Sequence, residues 1–272
     1  TSIRERLFAV ASVKGDAQAL QDQLTWANGR PDEYRAVYWQ AQTSSFSGQW
    51  HKSEEQLSRA TEPATRAGAK EVVASYTADQ AVWAAWLGHF SQAANLADNA
   101  LKIEKNRNVL KSTALAFALA GQAGRAQSLV SELEQQYPKD TLVNNLWLPV
   151  IKAALELKKG NAEEALALLE PARRLESVGT FWPQALRSMA HLRLSQPDQA
   201  VTEARKILDN RGQGPMSLLW PLAHVTLAQA AAQKNDTTQT RKSYEDFFAL
   251  WKDADTDIPV LIEAKQHFEK IK

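Results

Sequence analysis

The sequence lacks several features that would assign it to common classes of protein. It has no cysteine, which excludes a disulfide scaffold and a cysteine nucleophile. No run of about 18 apolar residues occurs, so the sequence predicts no membrane-spanning helix. The sequence also has no excess of charge of one sign, because 32 Lys and Arg are balanced by 31 Asp and Glu and neither sign forms a long run. Nucleic acid is therefore not the expected partner, since phosphate binding needs a basic stripe.

Residues that turn or break the chain are also few. The 272 residues include 11 Gly and 10 Pro, and β-branched residues are sparse. Alanine, the strongest helix former, is abundant. This composition favours an all-α protein over one made of many short strands. The chain begins at Thr1, which we interpret as the start of a mature form or of a piece of a longer protein.

A polar dipeptide recurs along the chain after each apolar, Ala-rich stretch. Successive occurrences are 33 to 40 residues apart. Glycine or asparagine suits the left-handed residue that ends a helix, and the polar follower suits a turn. We call the first residue of each dipeptide a turn mark. The turn marks are Gly15, Gly48, Gly88, Gly121, Gly160, Ser195 and Asn235.

The residues around the turn marks resemble the tetratricopeptide repeat. That repeat has Gly before the turn between two helices, then small, aromatic and small positions, and often a closing proline. The segment Lys159–Leu166 matches this pattern, as does Gly121–Pro138 with its small residue at Ala126 and its proline at 138. The resemblance implies a right-handed α-α superhelix, a solenoid of about seven helical hairpins.

Residues 100–272 resemble a narrower group, the C-terminal repeat region of large bacterial serine/threonine protein kinases. The segments that carry this resemblance are Leu146–Pro149, Phe181–Pro183, Leu208–Gly212 and Tyr244–Asp255. In that group a kinase domain precedes the repeats, usually with a membrane span between them. The resemblance implies a sensing region of a larger signalling protein, and with the missing cysteine it favours a periplasmic over a cytoplasmic location.

The periodicity predicts one repeat domain over residues 1–272. It consists of helical hairpins and a C-terminal capping helix that covers the exposed end of the stack. The predicted hairpins span 2–28, 34–66, 70–105, 108–136, 142–175, 182–209 and 217–251, and the capping helix spans 258–271.

No group of residues in the sequence predicts catalysis. The five histidines are scattered, none forms a helical metal-binding pair, and neither a nucleophile elbow nor a kinase signature is present. Adjacent carboxylates such as Glu163 and Glu164 lie on predicted solvated helix faces. We therefore expect a protein that is not an enzyme and that uses no cofactor or metal.

In this architecture the first helix of each hairpin lines the concave side of the superhelix. Counting back thirteen, ten and six residues from the turn marks predicts the residues of a concave groove. These candidate ligand-binding residues are Arg35, Tyr38, Gln42, Asn108, Lys111, Trp147, Trp182, Met189 and Gln229, with Ser75, Val150 and Leu222 at further equivalent positions.

Trp147 and Trp182 occupy equivalent places in adjacent repeats and allow two interpretations. Both could be exposed anchors of a peptide groove, since Trp and Arg often anchor interfaces. Alternatively, both could pack between repeats, aided by Pro149 and Pro183.

The preferred function is a non-catalytic module that binds a peptide or protein in the concave groove. The alternatives are a self-association module that forms a homodimer, and a small-molecule site in the Trp-lined concavity.

Overall fold

The computed structural model describes residues 2–66, 68–178 and 181–271. Every regular element in these ranges is helical. The helices form seven antiparallel hairpins followed by one more helix, which confirms the predicted all-α solenoid. The helices are α1 Ser2–Lys14, α2 Ala17–Ala27, α3 Glu33–Phe46, α4 Trp50–Arg66, α5 Lys70–Leu87, α6 Phe90–Ile103, α7 Arg107–Leu119, α8 Ala123–Gln136, α9 Leu148–Lys159, α10 Ala162–Leu168, α11 Trp182–Arg193, α12 Pro197–Leu208, α13 Leu219–Gln233, α14 Thr237–Leu250 and α15 Pro259–Glu269.

All seven turn marks adopt the left-handed backbone that the sequence pattern suggests. Their φ angles run from 53° at Ser195 to 94° at Gly88. The amide of the residue after the mark bonds back into the first helix, as His89 does to the carbonyl of Ala84 at 2.9 Å. This geometry satisfies helix-end carbonyls and reverses the chain within two residues.

Small residues lie where the two helices of a hairpin cross. Five positions after successive turn marks, Ser53, Ala93, Ala126, Ala165 and Ala200 are each fully buried. A small side chain there lets two helix axes approach closely, and larger apolar residues then fill the space between hairpins.

The fifth hairpin departs from the regular pattern. Its first helix is preceded by a wider π-type turn at Val143–Trp147. Its second helix was predicted to reach residue 175, but α10 ends at Leu168 and a 3₁₀ turn follows at Pro171–Leu175. Proline has no amide hydrogen to donate to an α-helical bond, so Pro171 ends the α-helix early.

The segment after α14 returns to the second hairpin and closes the superhelix on itself. The indole Nε1 of Trp251 donates to the carbonyl of Phe46 at 2.9 Å. The amide of Asp255 donates to the carbonyl of Gly48 at 3.0 Å, and its carboxylate accepts from the amide of His51 at 2.8 Å. We call this set of contacts the C-terminal closure.

The loop between α12 and α13 reinforces the closure. The guanidinium of Arg211 lies 5.1 Å from the ring of Phe46 and 4.7 Å from that of Trp220, and it donates to the carbonyl of Ser12 at 3.3 Å. The rings of Phe46 and Trp220 are themselves stacked, 5.8 Å apart. The first, second and seventh hairpins are therefore in direct contact.

The last helix, predicted to cover the end of the stack, also packs against the third hairpin. Pro259 packs against the turn at Gly88, where a Cβ would lie 2.8 Å from the proline ring. Leu261 and Ala264 are buried in the main core. The curvature of the superhelix brings the seventh hairpin back over the second and third, so α15 bridges them.

None of the helices in the described ranges is long and apolar enough to cross a membrane.

Candidate functional site

The first helices of the hairpins form the inner face of the superhelix. α5 packs on α7, α7 on α9 and α11 on α13, whereas the second helices pack against the first helix of their own hairpin and of the following one. The first helices therefore lie at the smaller radius. The predicted groove residues lie on these first helices, except Trp147, which lies in the turn that leads into α9.

A stack of aromatic rings lines the inner face on α3 and α5. Tyr38 stacks on Tyr76 with ring centroids 3.8 Å apart and lies 5.8 Å from Trp83. The hydroxyl of Tyr38 donates to Asp79 at 2.7 Å, and the hydroxyl of Ser112 on α7 reaches the same carboxylate at 3.3 Å. Burial, with the nearby Asp79 carboxylate, raises the pKa of Tyr38 well above its usual value. The Tyr38 side chain is therefore uncharged, and its hydrogen bond to Asp79 holds the ring in place.

Next to this stack, four residues form what we call the cation–indole cluster: Arg107, Lys111, Trp147 and Trp182. The Lys111 ammonium lies 5.0 Å from the ring of Trp147 and 5.1 Å from that of Trp182, so it contacts both indoles. Arg107 lies 5.2 Å from the Trp147 ring and pairs with Asp140 at 2.6 Å. Sequence reasoning placed both tryptophans at equivalent sites, and the structure joins them through one cation.

Lys111 has no carboxylate partner within the described chain. Its ammonium contacts the two indole rings, and its side chain is half-buried. Burial lowers the pKa of Lys111, Asp79 opposes that shift and Arg107 adds to it. A partly desolvated cation without an ion pair is costly unless an anion approaches it, so the cluster is suited to receive an acidic group.

The two tryptophans differ in exposure. Trp147 is only 7% exposed and packs with the main core, as expected of a residue between repeats. Trp182 is half-buried and keeps part of its ring open. The exposed part of the cluster therefore consists of Trp182, Lys111 and Arg107.

At the amino-terminal ends of α5 and α7 the inner face opens into a cleft of about 420 Å³. Arg35, Ser75 and Asn108, all predicted from the sequence, line this cleft. Arg107 also lines it, which makes the cleft continuous with the cation–indole cluster.

A second, more apolar cavity of about 290 Å³ lies near the turn-mark end of the inner face, and we call it the inner cavity. Its walls come from α5, α9, α11, α13 and α15, among others. The predicted residues Met189, Leu222 and Gln229 line it. Gln42 is half-buried on α3 and lines neither this cavity nor the cleft, and Val150 is fully buried.

The structure adds residues that sequence reasoning missed. Trp86, Lys158 and Glu263 line the inner cavity, and Asp79 anchors the aromatic stack. Trp86 lies two residues before the Gly88 turn mark, outside the positions that the counting rule used. Glu263 belongs to the last helix, which has no turn mark of its own.

The comparisons with known proteins bear on the fold. No protein-family model matches the sequence, and a search of curated proteins gives no match. Among solved structures, the chain is similar to a tetratricopeptide repeat protein from Parabacteroides merdae ATCC 43184. The TM-score is 0.54 and the identity 11%, over 95% of this chain and 93% of that one. The chain therefore has the tetratricopeptide-type solenoid fold.

Proposed function

We propose that this chain is a non-catalytic protein-interaction module that binds a segment of a partner protein along its inner face. The observation that carries the proposal is the cation–indole cluster, where Lys111 contacts two indoles and pairs with no carboxylate among the described residues. A partner carboxylate would complete this arrangement. The cleft that begins at Arg107 extends the surface toward Arg35 and can hold further residues of the same segment.

The segment expected to bind is short and carries at least one acidic residue beside an apolar or aromatic one. Trp182 and the Tyr38–Tyr76 stack offer flat apolar surface. Arg35 and Lys111 offer positive charge, whereas the charge of Arg107 is balanced by Asp140. Aromatic and arginine side chains commonly dominate binding energy at such surfaces.

A peptide array tests this proposal. Short peptides in which acidic and aromatic positions vary are bound to the immobilised chain, and affinities of the best binders are measured by calorimetry. We expect dissociation constants of roughly 1–100 μM. Lys111→Met should weaken binding about tenfold or more, since a charged hydrogen bond or ion pair is lost.

The matched control is Lys102→Met, which removes an exposed lysine from α6, a second helix outside the inner face. Peptide binding should not change in this variant. If no peptide binds at ~100 μM, or if Lys111→Met and Lys102→Met bind equally well, the proposal is wrong.

The resemblance of residues 100–272 to the repeat region of bacterial protein kinases supports a setting in a larger signalling protein. In that setting the inner face would sense a partner, and another part of the protein would report the binding.

A second candidate function is self-association, which one surface feature favours. Ile3, Leu7 and Val10 are exposed on α1 at 73%, 45% and 51%, and their spacing puts them on one helix face. Like-with-like packing of this face would form a twofold dimer. Sedimentation equilibrium should then show dissociation on Leu7→Glu substitution, whereas a wild-type monomer at ~100 μM would exclude self-association at that strength.

A further inference from the structure

The inner cavity has the size and walls of a small-molecule site. Its volume is about 290 Å³. That is roughly twice an engineered cavity that binds benzene, and close to the lower end of natural ligand sites. The apolar side chains that line it include Leu119, Trp86, Met189, Leu222 and Val225. An apolar group of about the size of a phenyl or branched aliphatic side chain fits this space.

The cavity rim carries two charges of opposite sign that have no ion-pair partner in the described chain. Lys158, at the end of α9, has its ammonium 4.2 Å from the ring of Phe90 rather than at a carboxylate. Glu263, on α15, lines the same cavity. The two do not pair with each other, although surface charges elsewhere pair readily, as Lys159 does with Glu156 at 2.6 Å.

The surroundings of Lys158 make an anion favourable there. Partial burial lowers the pKa of this otherwise exposed ammonium, and the nearby guanidinium of Arg193 adds to that effect. A carboxylate bound at this point would oppose both effects, because an opposite charge stabilises the ammonium.

An apolar body beside one cation and one carboxylate matches the charge pattern of a free amino acid. We propose that the inner cavity is a binding site for a free α-amino acid with an aromatic or large aliphatic side chain. The side chain lies against Trp86 and Met189, the carboxylate pairs with Lys158, and the ammonium pairs with Glu263. Gln229 and Thr226, which also line the cavity, supply further polar contacts.

This site is separate from the proposed protein-binding surface. None of the four residues of the cation–indole cluster lines the inner cavity. A ligand held between Lys158 and Glu263 would join α9 to α15 and so stabilise the packing of the last helix. Binding is therefore expected to raise the melting temperature of the full chain by ordinary ligand linkage.

Three compounds with the same apolar body test the site. Calorimetry and thermal melts of the full chain are compared with L-phenylalanine, 3-phenylpropionate, which lacks the ammonium, and 2-phenylethylamine, which lacks the carboxylate. We expect L-phenylalanine to bind about tenfold or more tightly than either analogue. No thermal shift with phenylalanine, leucine, methionine or tryptophan at ~10 mM would overturn the proposal, as would equal binding of the three compounds.

Charge variants at the rim locate the binding. Lys158→Met and Glu263→Gln alter exposed side chains, so both should fold, and each should weaken phenylalanine binding about tenfold. The matched controls, Lys159→Met and Glu269→Gln, change neighbouring exposed charges that do not line the cavity. Equal affinity in rim and control variants would show that the amino acid binds elsewhere and would overturn the assignment.

A cavity-filling variant adds a steric test. Thr226→Phe places a ring into the space that the ligand side chain would occupy, and it should abolish the phenylalanine-induced thermal shift. If this variant fails to fold, the comparison between the rim variants and their controls tests the location of the site instead. A folded Thr226→Phe protein that keeps the wild-type affinity would contradict the proposed location.

Discussion

Two turn-mark glycines with the same backbone lie in different surroundings. Gly48 has φ +72°, and a Cβ there would lie 2.6 Å from the Cβ of Ala254 and 2.8 Å from the ring of Trp251. Gly121 has φ +76° with nothing within 4 Å of an added Cβ. The backbone strain of an alanine is therefore the same at both positions, and only Gly48 adds a steric clash.

We expect Gly121→Ala to lower the free energy of unfolding by about 1–2 kcal/mol, the ordinary penalty for a left-handed residue with a side chain. Gly48→Ala should lower the free energy of unfolding by about 1–3 kcal/mol more than Gly121→Ala, because the C-terminal closure must move. Urea unfolding measures both. Equal costs for the two variants would mean that the contact between Gly48 and the closure does not form in solution.

A buried alanine at a helix crossing gives a second prediction. Ala165 is fully buried between α9 and α10. Ala165→Leu should wedge the fifth hairpin open and destabilise the chain by about 1–3 kcal/mol. The control Glu164→Leu changes the exposed neighbour and should stay within about 0.5 kcal/mol. Thermal melts that show no effect of Ala165→Leu would mean that the repeat alignment is wrong at this hairpin.

At the scale of elements, the sequence pattern was most informative where one residue decides the geometry. A left-handed helix end favours Gly or Asn, which six of the seven turn marks carry, and Ser195 follows from the spacing of the others. The early end of α10 was missed because the apolar spacing continues through Leu175, while Pro171 breaks the hydrogen bonds.

The inner face was only partly predictable for a physical reason. Counting from a turn mark finds residues at regular positions, such as Lys111 and Trp147, and their contact follows from the stacking of neighbouring repeats. The inner cavity depends on α13 and α15 meeting α5 across the superhelix, and such pairings between distant elements leave no period in the sequence.

The junction between α4 and the C-terminal closure predicts a pH effect. Partial burial alone would lower the pKa of His51, but the carboxylates of Asp257, Asp255 and Glu54 outweigh burial and raise it above 6.5. The Nε2 of His51 lies 3.1 Å from Asp257. The charged imidazole thus stabilises the fold below about pH 6.5, and this contribution disappears as the pH rises through the folded-state pKa.

We expect the stability difference between the wild type and His51→Asn to be larger at pH 5.5 than at pH 8.5. His51 is 62% exposed, so the gain should be about 0.5 kcal/mol or less. His89, whose pKa is lowered mainly by burial and also by the charge of His51, acts in the opposite direction. Chemical unfolding at the two pH values measures the difference, and a larger difference at pH 8.5 would contradict the assigned contact.

For the whole molecule, the C-terminal closure joins the seventh hairpin to the second, whereas the two ends of an open solenoid do not contact each other. In an open array each repeat contacts only its neighbours, and terminal repeats fray first. Here Trp251, 3% exposed, links the seventh hairpin to the second. Trp251→Ala should lower the free energy of unfolding by about 3–5 kcal/mol. Hydrogen exchange should then speed up at the turn after α3, far away in sequence, as well as around position 251.

The matched control is Trp26→Ala, a tryptophan in the first hairpin that takes no part in the closure. Exchange should rise locally in α1 and α2 while the segment 251–259 keeps its protection. If Trp251→Ala increases exchange only near residue 251, the two ends of the chain are not coupled.

The closure also bears on the order in which the chain folds. Contacts within a hairpin join residues close in sequence, whereas the bond between His51 and Asp255 joins residues 204 positions apart. Such a long loop closes late, after the local contacts have formed. Trp251→Ala should therefore accelerate unfolding and leave the refolding rate nearly unchanged in stopped-flow experiments, a φ-value near zero. A chain emerging from the ribosome would hold six finished hairpins and still lack the contacts that join its ends.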